Sequence, residues 1–405
     1  MNANWKKNTK PDVVLKRIEE SKNVSVDGKV SFSGFGFFDA KATLDGMVDF
    51  KDKSHSIEIE GVIWTAISNV AKKQVLEKQS VIEEINRLIK EERKTKETEF
   101  HVLTTISLGK PFPLKTINTE GCKITFLNNF FPKRYESRNS VIRNKFDFSD
   151  DTPDSYSKII VSVKSKSIKG AATKALYVID MQRAIWSLLG NSSTSLFGDE
   201  WKPINKIRMG RVHTVHQING AVADEQFWYE PNFAKVDLFV ADDFAGFKKF
   251  YKRIFTKLNQ IPYSYELRDA LVRFVRALDE RDQNVSLIKL WGALESITCQ
   301  GDAKYDLIVR RCSFLFKDSE YHQQVLEHLR DFRNRSVHAG DQNENAKFRC
   351  YQLKFYFEQL IFFHIRNAGT FKTLNEANLF LDSPRDMTDL INKKRLIERA
   401  IKFLL

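Results

Sequence analysis

Six adjacent residues, Arg333-Asn334-Arg335-Ser336-Val337-His338, bring together side chains that can do chemistry. An imidazole of ordinary pKa near about 6.5 trades protons at neutral pH, and a guanidinium offers a fixed fork of donors to an anionic oxygen. These residues end a segment, 320–338, that otherwise reads as core helix, because His322, Val325, Leu326, Leu329 and Phe332 recur at helical spacing. Arg333 follows Leu329 by four and Leu326 by seven positions, which places it along the edge of the apolar face. An unpaired charge there is costly. The helix expected over 284–298 has an apolar stripe of Leu287, Leu290, Trp291, Leu294 and Ile297, with Glu295 at its edge. The spacing predicts an inward ion pair, Glu295 with Arg333. Arg333 and His338 are five positions apart, about 140° around a regular helix. They converge on one atom if the last turn unwinds, with Gly340 and Asp341 as the stop, or if a second copy of the chain completes a shared site.

The elements that must hold this cluster are helical. No proline occurs between Pro262 and Pro384, and periodic runs predict helices over about 243–258, 263–280, 284–298, 304–316, 320–338, 344–367 and 385–404. Together they form a bundle-type domain over 241–405. The run over 344–367, with Phe348, Tyr351, Phe355, Leu360, Phe362 and Phe363, is apolar nearly all round and is buried either in the bundle or in a dimer interface. His364 within it reads as a core or interface histidine. The first 240 residues read differently. Alternation over 24–65, with Asp-Gly at 27–28 and 45–46, predicts strands, as does 56–64. A charged helix follows over 78–100. Strands are expected near 102–108, 122–127, 158–164 and 207–219, and a strand followed by a short helix over 174–190. Ser149 to Asp154 and 190–199 read as loops. The fold class expected is an α+β N-terminal region, with a mixed domain over 1–150 and a β-rich continuation over 151–240, followed by an all-α bundle.

Charge and cysteine usage narrow the classes. The chain of 405 residues carries 65 Lys and Arg against 52 Asp and Glu, a formal net charge of +13. Residues 101–220 hold 18 basic and 9 acidic residues, so much of the excess sits mid-chain. Such a balance suits a polyanionic partner. Cys122, Cys299, Cys312 and Cys350 are scattered and form no CxxC pair, which argues against a zinc site or a disulfide framework. The opening MNANWKKNTK has no apolar signal core, and no run reaches about 18 apolar residues. A cytoplasmic chain with free thiols and no membrane contact is expected. His213 and His216, three apart on an expected strand, face opposite sides and are not expected to share a metal. Neither a GxxxxGK loop, nor HExxH, nor GxSxG occurs.

"WGALESITCQ", then "DAKYDLIVRRCSFLF", then "LRDFRNRSVHAG" together resemble a HEPN domain of the Apea-like group, over roughly 243–370. That family is marked by an Arg, a polar residue, a few further residues and a His; Arg333, Asn334 and His338 match it, and Glu295 matches an acidic residue on an earlier helix. The resemblance implies a HEPN-like bundle that dimerises with the two motifs facing one another, and in active members metal-independent RNA cleavage to a 2′,3′-cyclic phosphate. His338 would then be general base or acid, Arg333 would stabilise charge on the phosphorane, and Asn334 would orient the imidazole or bind a phosphate oxygen. Ser336 and Arg335 would add phosphate contacts. The basic stretches 131–145 and 162–174 contain Lys133, Arg134, Arg138, Lys164, Lys166 and Lys169, with Phe130, Phe131 and Tyr135 beside the first. They read as an RNA-backbone groove with a stacking position, or as ordinary cationic surface loops.

The expectation is thus an endoribonuclease without metal or cofactor, acting in bacterial anti-phage defence as a toxin or abortive-infection effector on cellular RNA, tRNA or another single strand. It works as a homodimer through the helical domain, with the N-terminal region as sensor or grip and a phage-derived trigger or an antitoxin as further partner. The alternative is a non-catalytic HEPN-like module for dimerisation or for nucleotide or RNA binding.

Overall fold

The computed structural model describes residues 3–25, 29–50, 59–127, 129–143, 150–191, 203–299, 305–339 and 346–404. The N-terminal stretch holds β1 (Asn4–Trp5), α1 (Pro11–Glu20), β2 (Lys22–Val24), β3 (Val30–Phe32), α2 (Phe35–Met47), β4 (Val48–Asp49), α3 (Ile59–Ala71) and α4 (Lys78–Lys94). Its buried side chains, Leu15, Ile18, Leu44, Ile63, Ile67 and Ile85 among them, pack as a core of their own. The strands expected over 24–65 are largely replaced by helices. Phe37, Ala40 and Leu44 are buried three and four apart, as are Val62, Ile63, Ala66, Ile67 and Val70. That is helical periodicity, which the small and aromatic residues between them disguised as alternation. Only the short β2–β3 hairpin and β4 survive of that expectation. The Asp-Gly at 45–46 falls in the last turn of α2; the one at 27–28 lies outside the described residues, as does 56–58.

A six-stranded antiparallel sheet follows, built from β5 (Thr98–Ile106), β6 (Thr116–Thr119), β7 (Cys122–Phe126), α5 (Ser137–Arg143), β8 (Ser157–Ser165), α6 (Ile168–Gly190), β9 (Val212–Gln217) and β10 (Val222–Tyr229), with strand order β10-β9-β5-β8-β7-β6. β5 is central, paired with β8 from Thr98–Ser165 to Ile106–Ser157 and with β9 on its other edge. Residues 174–190, expected as a strand and a short helix, lie wholly in α6. This helix lies between the sheet and the helical half and is buried nearly all round, so it shows no polar face to read. Ser167 caps it, its hydroxyl accepting from the Gly170 N–H at 3.0 Å.

The rest of the chain is helical, as expected: α7 (Phe244–Gln260), α8 (Ser264–Leu278), α9 (Gln283–Thr298), α10 (Tyr305–Ser313), α11 (Ser319–Ala339), α12 (Ala346–Arg366), α13 (Leu374–Leu381) and α14 (Met387–Leu404). The fold is therefore α+β followed by helices. Sheet, α6 and helices share one core, from Val102 and Val161 through Trp186 and Phe274 to Leu329 and Phe357. α12 sits in that core, with Phe274 stacked on Phe357 at 4.3 Å between ring centres. His364 is fully buried and its Nδ1 meets Tyr263 Oη at 3.1 Å; burial pushes its pKa down to about 3. α13 was not expected; its signal is Thr373, whose hydroxyl accepts from the Glu376 N–H. Among the described residues no helix is long and apolar enough to cross a membrane.

A dry ionic network joins sheet, α6 and α8. Arg183, 0% exposed, donates through Nη1 to Asp180 at 2.6 Å, through Nη2 to both oxygens of Asp279 at 2.8 and 2.7 Å, and through Nε to the Ile207 carbonyl at 3.0 Å. Asp279 also accepts from Asn205 Nδ2 at 2.7 Å. Arg276 bridges Asp180 and Glu230, and Glu230 meets His213 Nε2 at 3.1 Å. Burial alone would raise the Glu230 carboxyl, but the His213 hydrogen bond and the Arg276 charge outweigh it and hold the group well below the usual carboxylate range.

Candidate functional site

The cluster of interest lies on the C-terminal half of α11. Leu326, Leu329 and Phe332 are fully buried and fix the face by which α11 packs on α9 and the rest of the core. Arg333, Asn334 and Ser336 are half-buried beside that face, and Arg335 is exposed. The helix continues through Ala339, so positions 333 and 338 share one unbroken helix and stand about 140° apart around it. The backbone does not unwind between them. The side chain of His338, and residues Gly340 and Asp341, lie outside what is described.

Within the cluster, Arg333 Nη1 donates to Asn334 Oδ1 at 3.1 Å. Ser336 Oγ is buried and finds no hydrogen-bond partner among the described residues. Glu295 is half-buried on α9. No ion pair joins it to Arg333 among the described residues, against the sequence expectation; the guanidinium lies instead against its own neighbour Asn334. α12 adds a residue that sequence reasoning missed. The Arg349 guanidinium lies 3.7 Å from the centre of the Phe332 ring, a cation–π contact one position from Arg333. Its signal was a lone charge beside the apolar positions Cys350 and Leu353.

The other expected residues are dispersed over the sheet. Lys133, Arg134 and Lys164 are exposed. Lys166 Nζ donates to the carbonyls of Glu92 and Arg93 at 2.8 and 3.0 Å, closing the C-terminus of α4. Lys169 lies 3.6 Å from Glu60. Arg138 is only 8% exposed. His213 and His216 leave β9 on opposite faces: His213 Nδ1 meets Thr104 Oγ1 at 2.7 Å, while His216 packs edge-on to Tyr135. Comparison with protein-family models, with curated proteins and with solved structures finds no match to this chain.

Proposed function

We propose that the chain is a metal-independent endoribonuclease of HEPN type that acts as a pair of copies in the cytoplasm, with Arg333, Asn334 and His338 as its catalytic residues and Glu295 and Ser336 in support. The observation that carries the reading is the placement of the Arg-Asn-x3-His series on one continuous, core-anchored helix, with Arg333 and Asn334 half-buried instead of fully solvated. Positions 333 and 338 diverge around that helix, so a site that needs both groups on one phosphate draws them from two copies.

The chemistry follows from the residue types. The ribose 2′-oxygen attacks the adjacent phosphorus as its proton passes to a neutral His338. The new O–P bond forms while the P–O5′ bond breaks. A protonated His338 from the other copy gives its proton to the leaving 5′-oxygen, leaving a 2′,3′-cyclic phosphate and a 5′-hydroxyl. Arg333 balances the charge on the phosphorane oxygens, which is where an electrostatic contribution is largest. Asn334 orients the imidazole or binds a phosphate oxygen, and Ser336 and Arg335 extend the phosphate contacts. Exposed Arg134 and Lys164 supply candidate grips for RNA on the sheet half. The biological role we infer is bacterial anti-phage defence by cleavage of the cell's own RNA, tRNA or another single strand, released by a phage-derived trigger or held by an antitoxin.

The test is cleavage of total tRNA and of a long single-stranded RNA by the full chain in EDTA, beside His338→Ala. Chelator-resistant cutting that vanishes in the variant supports the proposal. Equal cutting by His338→Ala, or cutting abolished by EDTA, sinks it.

A further inference from the structure

The face of the sheet turned away from α6 carries a second candidate site. Along β5, Val102 and Ile106 join the core beneath α6, whereas Leu103 packs with Tyr135 and Ile160 on the opposite face. His101 shares that face, its Nδ1 meeting Tyr135 Oη at 2.7 Å. Residues 129–143, with α5 among them, and 150–156 fold over this face. Gly220, in the β9–β10 turn at φ +97°, lets them approach: a Cβ there would stand 2.3 Å from the Arg134 carbonyl oxygen. Between these residues and the sheet lies a cleft of about 960 Å³. α6 lies on the other face of the sheet, in the core that the sheet shares with α11.

Two buried polar groups on the cleft wall lack partners. Arg138 donates through Nη2 to the Val212 carbonyl at 3.2 Å, lies 3.7 Å from Asp150 Oδ2, and has its guanidinium 5.3 Å from the centre of the Phe131 ring. Its Nε is buried with no hydrogen-bond partner among the described residues. Thr105, 4% exposed, has a hydroxyl in the same condition. Each such group is costly to leave unsatisfied. Arg138 Nε can only donate and the Thr105 hydroxyl can donate, so an acceptor oxygen would suit both.

The remaining lining narrows the class. Phe130 is 82% exposed at the cleft, an apolar ring offered to solvent where a planar group can stack. Lys133 adds a second available cation, whereas Lys158 Nζ is already committed to the carbonyls of Asp154 and Tyr156 at 2.9 and 3.0 Å. Three carboxylates, Glu136, Asp150 and Asp154, share the cavity. They disfavour a nucleic-acid strand with a phosphate at every residue, and they accept from the N–H edge of a base. The volume falls in the range of small-molecule sites, about 300–1,000 Å³. We propose that this cleft binds a nucleoside monophosphate, with the base on Phe130, the phosphate at Arg138 and Lys133, and ring N–H groups on the carboxylates.

Calorimetric titration of the full chain with AMP, GMP, UMP and inorganic phosphate tests this without any cleavage readout, so it stands or falls apart from the activity of the α11 cluster. At least one monophosphate is expected to bind at least 10-fold tighter than phosphate alone. Phe130→Ala, an exposed position that leaves the melting curve unchanged, is expected to weaken it at least 5-fold, and Arg138→Gln at least 10-fold. No heat with any monophosphate at millimolar concentration overturns the proposal. So does phosphate binding as tightly as the nucleotides, which would make the cleft a bare anion hole, or affinity untouched by Phe130→Ala. A short single-stranded oligonucleotide that binds the cleft more tightly than every monophosphate overturns it too, in favour of an RNA channel.

Discussion

The ionic network around Arg183 and the polar cluster on α11 use the same side-chain types to opposite ends. Arg183 is completely dry, and Nε, Nη1 and Nη2 each reach an acceptor on α6, on the sheet side or at the end of α8. Arg333 is half-buried and donates to the uncharged Oδ1 of its own neighbour, beside a serine hydroxyl that finds no partner among the described residues. The Arg183 guanidinium, with each nitrogen paired and none exposed, has nothing left for a ligand and holds layers together. Polar groups at a half-open helix edge cost less to keep ready and can still meet a substrate.

The strongest way to break this contrast is to remove a member of the network. Arg183→Met leaves Asp180 and Asp279 in a dry interior and is expected to cost about 3–5 kcal/mol in chemical denaturation. A loss under 1 kcal/mol would mean that water or neighbouring cations already satisfy those carboxylates. The matching change in the α11 cluster, Arg333→Ala, is expected to lower the RNA-cleavage rate by about 10²–10³-fold, or about 2.7–4 kcal/mol of transition-state stabilisation. It is expected to shift the unfolding midpoint by far less than Arg183→Met does. If the two variants unfold equally easily, the cluster is a strut as well.

Burial also separates the histidines. His364, held neutral by burial with its pKa near 3, binds a proton in the unfolded chain below about pH 6.5 but not in the folded one. The unfolded state therefore gains protons first as pH falls, and stability drops from about pH 6.5 down toward pH 3. Relative to pH 7, His364 is expected to withdraw about 2 kcal/mol at pH 5. Buried Glu358, pushed up to about 7 by burial that outweighs Lys354, works in the opposite sense between about pH 7 and 4.5. The readout is thus the difference in stability-versus-pH slope between the parent and His364→Gln. Equal slopes would show that the imidazole is protonated in the folded chain.

How much of this was legible follows from the physics of each element. α7 to α11 were readable because each carries an apolar stripe against a polar face, and α12, apolar nearly all round, because its run is long and free of proline. α6 was not, because packing on two sides erases the polar face. Its one cue was Asp180 and Arg183 inside "YVIDMQRAIW", an i,i+3 charge pair in an apolar run. α2 and α3 were misread because Gly, Phe and β-branched residues mimic alternation. The α11 cluster was visible through residue types and spacing, yet Arg349 comes from another helix and only folding brings it to Phe332. Arg138 was read as part of a basic surface stretch. Nothing in "KRYESRNS" says which cation turns inward, because that depends on a sheet whose strands lie on both sides of it in the chain.

The basic stretch over 162–174 offers the smallest and finest version of the comparison. Lys164 and Lys166 are two residues apart and were read alike. Lys164 is exposed, while Lys166 Nζ sits on carbonyls of the last turn of α4, where a cation meets the negative end of the helix. Lys166→Ala is expected to cost about 1 kcal/mol of stability and to leave the salt dependence of RNA binding unchanged. Lys164→Ala is expected to leave stability within about 0.5 kcal/mol. If Lys164 meets a phosphate of single-stranded RNA, its loss lowers the slope of log affinity against log salt by about 0.7. The slope is the discriminating quantity, because a merely destabilised protein loses active molecules without releasing fewer counterions per complex. Equal slopes for the two variants and the parent would remove Lys164 from the RNA path and leave Arg134 as an exposed cation to test on that half.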